Sequence, residues 1–229
     1  MEIKNAQKPP VRHFFFNDFP PPLRQNTGMN ASPRILVFAG SLRKDSYNKK
    51  LARLAAEALR AAGAEATWID LADYPMPIYD QDLEDTEGHP EAARRFKALM
   101  QEHDGFLIAA PEYNSSITPL LKNALDWASR REHGDEPPLL AFTGKTAALV
   151  AASPGGLGGS RGLVTLRSLL GNIGVFLLPE QVTIPDAGNA FDDAGALTDP
   201  RKREQLAALA QRLVEFTGSL PFRASPPEA

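Results

Sequence analysis

Ile35-Leu36-Val37-Phe38-Ala39-Gly40-Ser41-Leu42-Arg43-Lys44-Asp45-Ser46-Tyr47-Asn48 passes from an apolar run, through a glycine, into hydroxyl, amide and basic side chains. An apolar run without alternation is the pattern of a strand buried on both faces, as in a parallel sheet. Beyond it the period changes. Leu51, Leu54, Ala55, Ala58, Leu59 and Ala62 recur at three- and four-residue spacing and Gly63 stops them, which predicts a helix. Strand, polar loop and helix make the first unit of an α/β fold.

Working outward, Ala66-Thr67-Trp68-Ile69 reads as a second strand, followed by a long, acidic, Pro-containing connection over 73–88. Loops of that length in compact domains are often functional. Pro90 opens a helix through His103, with proline in the first turn, where its missing N–H costs nothing. Gly105-Phe106-Leu107-Ile108-Ala109-Ala110 is the third strand, and Ile117, Leu120, Leu121, Ala124 and Ala128 stripe the next helix. Thr146-Ala147-Ala148-Leu149-Val150-Ala151-Ala152 is the fourth strand, and a helix over 161–170 leads to a fifth near Val182-Thr183-Ile184. A final helix over 200–217 carries Leu206, Leu209, Leu213 and Phe216. Alternation of this kind implies a five-stranded parallel sheet with helices on both faces. The order 2-1-3-4-5 suits it, with ligands beyond the carboxyl ends of strands one and three.

The chain divides into a Pro-rich extension over 1–32, one domain over 33–220 and a tail over 221–229. The extension holds Pro9-Pro10, Phe14-Phe15-Phe16, Phe19 and Pro20-Pro21-Pro22, without the apolar core and cleavage site of a signal peptide. Its composition predicts disorder. Docking of the Phe cluster on a neighbouring subunit, or a translation start at Met29, are the other readings.

Cysteine is absent, which removes disulfides, thiolate metal sites and cysteine nucleophiles and fits a reducing, cytoplasmic setting. A net charge of −3 argues against a nucleic-acid partner, which needs a basic surface. No stretch approaches the ~18 apolar residues of a membrane span, so no membrane insertion is expected.

Three loops follow the central strands. In the first, the hydroxyls of Ser41 and Ser46, the Asn48 amide, the Arg43 guanidinium and free N–H groups at a helix start all suit a phosphate. The loop lacks both the G-x-x-x-x-G-K-[ST] and the G-x-G-x-x-G patterns, which favours one terminal phosphate over a pyrophosphate. Read plainly, it is a helix cap with Ser46 as N-cap and Arg43 in solvent.

The second is Pro111-Glu112-Tyr113-Asn114-Ser115-Ser116-Ile117-Thr118-Pro119, whose backbone and Tyr113 ring could meet a flat heterocycle. The plain alternative leaves Tyr113 on the sheet rim and Asn114 in a turn. Trp127 and Leu121 read as core.

The third, Ser153-Pro154-Gly155-Gly156-Leu157-Gly158-Gly159-Ser160-Arg161-Gly162, lets backbone approach a ligand closely. Its Gly158-to-Gly162 portion matches the G-x-S-x-G nucleophile elbow. Yet His13, His89, His103 and His133 all precede Ser160, so the hydrolase order Ser, acid, His fails. The scattered histidines read as surface or helix-end residues. Asp80, Asp82, Glu84 and Asp85 read as a solvated loop, and no metal site is expected.

With G-S-x-R-x-x-S-x-N, P-E-Y-N-x-S and K-N-A-L-D-W (residues 122–127) in this order, residues 34–217 resemble the NADPH-dependent FMN reductase family of flavodoxin-like α/β enzymes, which includes quinone, azo-dye and chromate reductases. The resemblance implies FMN, a five-stranded parallel sheet and a homodimer or homotetramer. By position, Ser41, Arg43, Ser46 and Asn48 would hold the phosphate. Pro111, Glu112, Tyr113, Asn114, Ser116, Ser153 and Gly155 would bind the isoalloxazine. NADPH, or NADH, would stack over FMN and pass hydride to it, and a small-molecule acceptor (flavin, quinone, azo or related compound) would then take the electrons by a ping-pong mechanism. The flavin carries that chemistry, so no catalytic side chain is expected. Arg130, Arg131 and Arg161 are candidates for a 2′-phosphate, and Tyr79-Asp80-Gln81-Asp82 for the acceptor pocket. The rival readings are an FMN electron carrier without nicotinamide turnover and a cofactor-less subunit.

Overall fold

Successive residues of a strand point to opposite faces, so a sheet covered on both sides needs apolar residues at both parities. The computed structural model, which describes residues 32–220, shows this in its first strand. Ile35 and Val37 enter one core, and Leu36 and Phe38 enter the other. The expected tail and the extension up to residue 31 lie outside the described residues.

The elements are β1 (Arg34–Ala39), α1 (Tyr47–Ala61), β2 (Glu65–Asp70), α2 (Gln81–Glu87), α3 (Glu91–Glu102), β3 (Gly105–Ala109), β4 (Glu112–Tyr113), β5 (Ser116–Ile117), α4 (Pro119–Ser129), β6 (Thr146–Ala152), α5 (Ser160–Asn172), β7 (Phe176–Ile184) and α6 (Pro200–Ser219). A single 3-10 turn, Leu71–Asp73, follows β2. Five strands form one parallel sheet in the order β2-β1-β3-β6-β7. The expected label 2-1-3-4-5 is corrected by an antiparallel two-stranded hairpin, β4–β5, which lies between the third and fourth strands of the sheet.

Helices α1 and α6 cover one face through Leu51, Leu59, Leu206 and Leu213. Helices α3, α4 and α5 cover the other through Phe96, Met100, Leu121 and Leu166. Three expectations needed revision. The connection over 73–88 contains α2, Ile117 belongs to β5 and not to the helix after it, and the fifth strand begins at Phe176. Strand β7 is an edge. Its pairing with β6 is irregular between Ala147 and Leu149, opposite the Leu178-Pro179-Glu180 segment. Proline cannot donate to a ladder, so an irregular edge is where it is tolerated.

The amino edge of the sheet is closed by a buried lysine. Lys145 donates from Nζ to Gln101 O at 2.7 Å and to His103 O, the last carbonyls around the end of α3. Burial, opposed by Asp104, pushes its ammonium down from 10.5 to about 8. Between those values the unfolded chain binds more protons than the folded one, so stability rises with pH. Denaturation across pH 8 to 10.5 should therefore show wild type gaining on a Lys145→Met variant. A constant difference would mean that Lys145 titrates normally.

Candidate functional site

Beyond the carboxyl ends of β1, β3 and β6 lie three loops, each fastened to its neighbours. In the first, Gly40 N donates to Ala109 O at 3.0 Å, and Gly40 O accepts from Thr118 Oγ1 at 2.8 Å. A Cβ at position 40 would lie 2.9 Å from Leu121 Cβ, so α4 approaches this loop as closely as only glycine permits. Ser41 is buried, and its Oγ accepts from Arg43 N at 3.3 Å. Ser46 is the N-cap of α1, with its Oγ accepting from Lys49 N at 3.4 Å.

What remains free in this loop is informative. Among the described residues, Arg43 and Lys44 are exposed with no protein partner for their side chains. The first-turn amides of Tyr47 and Asn48 point out of α1 without an intrahelical acceptor, as helix starts do. Together with the Ser41 hydroxyl, this donor set fits a phosphate on charge and hydrogen-bonding grounds.

Asn48 plays another part. Its Nδ2 donates to Ala152 O at 2.8 Å and its Oδ1 accepts from Ala152 N at 2.9 Å. One amide N–H and the carbonyl of this buried side chain thus brace the start of α1 against the end of β6. Lys49 adds a further brace, its Nζ lying 2.6 Å from Asp70 Oδ2 at the end of β2.

The second loop is the β4–β5 hairpin. Asn114 and Ser115 form its two-residue turn, both left-handed, with φ of 51° and 66°. That is the backbone a tight hairpin of the type I′ kind requires. Pro111 is buried, Ser116 is half-buried, and the Tyr113 ring stands half in solvent. The Glu112 carboxylate does not point to an open slot. Its Oε2 accepts from the amides of Arg161 and Gly162, each at 3.0 Å, and its Oε1 accepts from Arg161 Nε at 2.9 Å and Nη2 at 2.7 Å. Burial opposes its ionisation, but the bonds from Gly162 and Arg161 outweigh it and hold the carboxyl below the usual range.

In the third loop, Ser153 Oγ accepts from Gly155 N at 3.2 Å, and a Cβ at Gly156 would meet nothing within 4 Å. Backbone is accessible there. At Gly158, by contrast, φ is +61° and a Cβ would lie 2.9 Å from the backbone of Ile184 and Pro185. Ser160 opens α5, and among the described residues no hydrogen bond joins it to a histidine. The nucleophile-elbow spacing is thus a close-packed turn.

A strap after β2 completes the surroundings. Asn123 Nδ2 and Trp127 Nε1 both donate to Pro77 O at 2.8 Å, and Asn123 Oδ1 accepts from Tyr79 N at 2.8 Å. The spacing Asn123/Trp127, one turn apart on α4, was the available signal for this role. Glu84, expected in solvent, is half-buried. It accepts from Arg130 Nε and from the Tyr79 hydroxyl, each at 2.9 Å, and those bonds outweigh burial to keep its carboxyl low. His89 is buried and not a surface residue, and burial pushes its pKa down against the pull of Glu84 and Glu132. Of residues 79–82, Tyr79 meets Trp127 and Arg130, Gln81 accepts from Arg130, and Asp80 and Asp82 are exposed. A cleft of about 420 Å³ is lined instead by Leu42, Leu71, Tyr74, Met76, Leu120 and Asn123. Of the three arginines considered for a 2′-phosphate, Arg130 and Arg161 hold carboxylates, while Arg131 is exposed.

Braced loops at the carboxyl ends of a doubly wound sheet, one carrying an open phosphate-donor set, define a flavodoxin-like α/β protein. The sequence model of the NADPH-dependent FMN reductase family matches residues 33–189, and the chain belongs to that family. It is 40% identical over 192 residues to an NAD(P)H:quinone oxidoreductase of Solanum tuberosum, covering 79% of this chain and 92% of that one. It is 39% identical over 187 residues to an NAD(P)H-dependent FMN reductase of Pseudomonas aeruginosa, covering 81% and 95%. A solved flavoenzyme, an NAD(P)H:(acceptor) oxidoreductase from Paracoccus denitrificans, superposes with a TM-score of 0.67 at 28% identity, covering 81% of this chain and 97% of that one. The chain is therefore an oxidoreductase whose family implies a flavin and a nicotinamide as cofactors. No helix among the described residues is long and apolar enough to cross a membrane.

Proposed function

We propose that the protein is an FMN-dependent NAD(P)H oxidoreductase that reduces a quinone or a related flavin or azo acceptor by a ping-pong mechanism. One observation carries this reading: the Ser41 hydroxyl, the exposed Arg43 guanidinium and the first amides of α1 belong to one short loop-to-helix segment, and among the described residues no protein acceptor takes them. Bound FMN supplies the two-electron relay between nicotinamide and acceptor. The chain's own contribution is to hold and orient. Arg43 and the α1 amides would neutralise the phosphate, and the hairpin at 112–117 and the glycines at 155–156 would flank the ring. The apolar cleft walled by Leu42, Tyr74, Met76 and Leu120 suits a hydrophobic acceptor better than a charged one. Leu42, Ile78, Tyr113 and Leu157, all exposed on loops at this edge, support self-association as a homodimer or tetramer around the site.

Anaerobic stopped-flow mixing of FMN-loaded protein with NADPH tests the reading. The flavin should bleach with NADPH alone and regain its colour when a quinone is added, with parallel double-reciprocal plots. A flavin that stays oxidised would make the protein an electron carrier. Arg43→Ala should weaken FMN binding roughly 10- to 100-fold, since one charge-assisted hydrogen bond is worth about 1.5–3 kcal/mol. Fluorescence titration measures this, and unchanged affinity would remove Arg43 from the phosphate site.

A further inference from the structure

Helix α5 begins without a cap of its own. Its N-cap is Gly159, with φ of +88° and no side chain to accept from the first-turn amides. The missing acceptor comes from another loop. Glu112, placed 49 and 50 positions earlier, takes the amides of Arg161 and Gly162 on one oxygen and the Arg161 guanidinium on the other. A carboxylate at a helix start is favourable on its own account, because it meets both the unpaired amides and the positive end of the helix dipole.

The surrounding backbone leaves this contact no slack. A Cβ on Gly162 would lie 3.1 Å from Ser116 O and 3.3 Å from Glu112 Cβ, and one on Gly159 would lie 2.8 Å from Ala151 Cβ. Both ends of the hairpin are therefore pressed against the first turn of α5. The Glu112 side chain is 8% exposed, whereas that of its partner Arg161 is 58% exposed, so the acid is the anchored member of the pair. Other braces at this edge run from Thr118 to Gly40, from Asn48 to Ala152 and from Lys49 to Asp70. Glu112 joins the loop after β3 to the one after β6.

We propose that Glu112 is a positioning residue: it is not a ligand of the flavin, but caps α5 across the gap between loops and thereby fixes the width of the slot between the hairpin at 112–117 and the glycine loop at 153–159. The inference rests on the reading of those two loops as the isoalloxazine site. Removing the carboxylate frees two helix-start amides and one guanidinium and lets the hairpin swing on its turn. Glutamine keeps the shape and one acceptor oxygen but drops the charge.

Glu112→Ala and Glu112→Gln are compared with wild type in two measurements. The first is amide hydrogen exchange on the apoprotein, read at residues 112–117 and 161–162, which requires no flavin. Alanine should speed exchange in both segments together, and glutamine should do so partially. The second is flavin titration with a midpoint potential on the loaded protein. Alanine should weaken FMN binding roughly 10- to 100-fold, the range over which outer supporting contacts act, and shift the potential, with partial rescue by glutamine. Exchange unchanged in Glu112→Ala overturns the brace itself. Faster exchange with wild-type affinity and potential overturns the positioning role. Absence of FMN binding by wild type overturns the cofactor reading instead, with the exchange result still deciding whether Glu112 holds the loops together.

Discussion

Trp127→Ala should cost about 3–5 kcal/mol of stability, the range for removing a large aromatic side chain from a core. Trp127 is fully buried. Its ring meets Tyr79 edge-on at 5.1 Å and His89 at 5.8 Å, and its Nε1 donates to Pro77 O. The truncation opens a void beneath the strap and releases one of its fastenings. At about 2–4 °C per kcal/mol for a domain of this size, the melting temperature should fall by roughly 6–20 °C. Trp127→Phe should be milder, because it keeps most of the packing and Asn123 still donates to Pro77 O. Thermal melts of both variants decide the matter. A fall of only a degree or two for alanine would mean that the strap is held elsewhere.

Lys97→Met should be comparably damaging, again about 3–5 kcal/mol, because it strands carboxylates that are otherwise paired in a buried position. The Lys97 side chain is 1% exposed, with Nζ donating to Arg130 O at 2.6 Å and lying 2.5 Å from Glu136 Oε1 and 3.7 Å from Glu132 Oε1. Glu136 also accepts from Glu132 N at 2.7 Å. Burial works against its ionisation, while the bonds from Lys97 and Glu132 outweigh burial and lower its pKa. A carboxyl lowered in the folded state contributes stability above its unfolded pKa and loses it as pH falls through the folded value. The variant has already forfeited the Lys97 share of that contribution. The gap between wild type and Lys97→Met should therefore narrow on going from about pH 7 to about pH 4. Urea denaturation at the two values measures it, and a gap that stays constant would mean that Lys97 acts mainly through packing.

The parts of the fold legible in the sequence are those where burial alone decides the pattern. Strand β6 is buried along its whole length, and its expected limits, 146–152, are those observed. Helix α2 escaped notice because none of its residues is buried, so it has no apolar stripe to read. Its signals were of another kind: Asp80 accepting from Asp82 N, and Gly88 just past its end. The hairpin strands have two residues each, too short for any period, and Ser115 adopts a left-handed backbone without the glycine that would announce it.

The site divides in the same way. Its expected location follows from the alternation of strands and helices and from loop composition, both read along the chain. The partners of Asn48 and Glu112 do not, since they lie 104 and about 50 positions away. Side chains with ligand-like chemistry were available to brace the scaffold, and only the folded geometry distinguishes the two uses. Asn48 and Glu112 brace it, whereas Arg43 remains open.

At the amino edge of the sheet, Thr217 near the end of α6 meets Thr146 at the start of β6, their hydroxyl oxygens 2.6 Å apart. Pro33, just before β1, accepts from Glu65 N at the start of β2. The described chain thus enters and leaves on the side opposite the three braced loops. A tether attached at Pro33 or Ser219, to an electrode, a bead or a second enzyme, would leave the three braced loops turned away from the anchor.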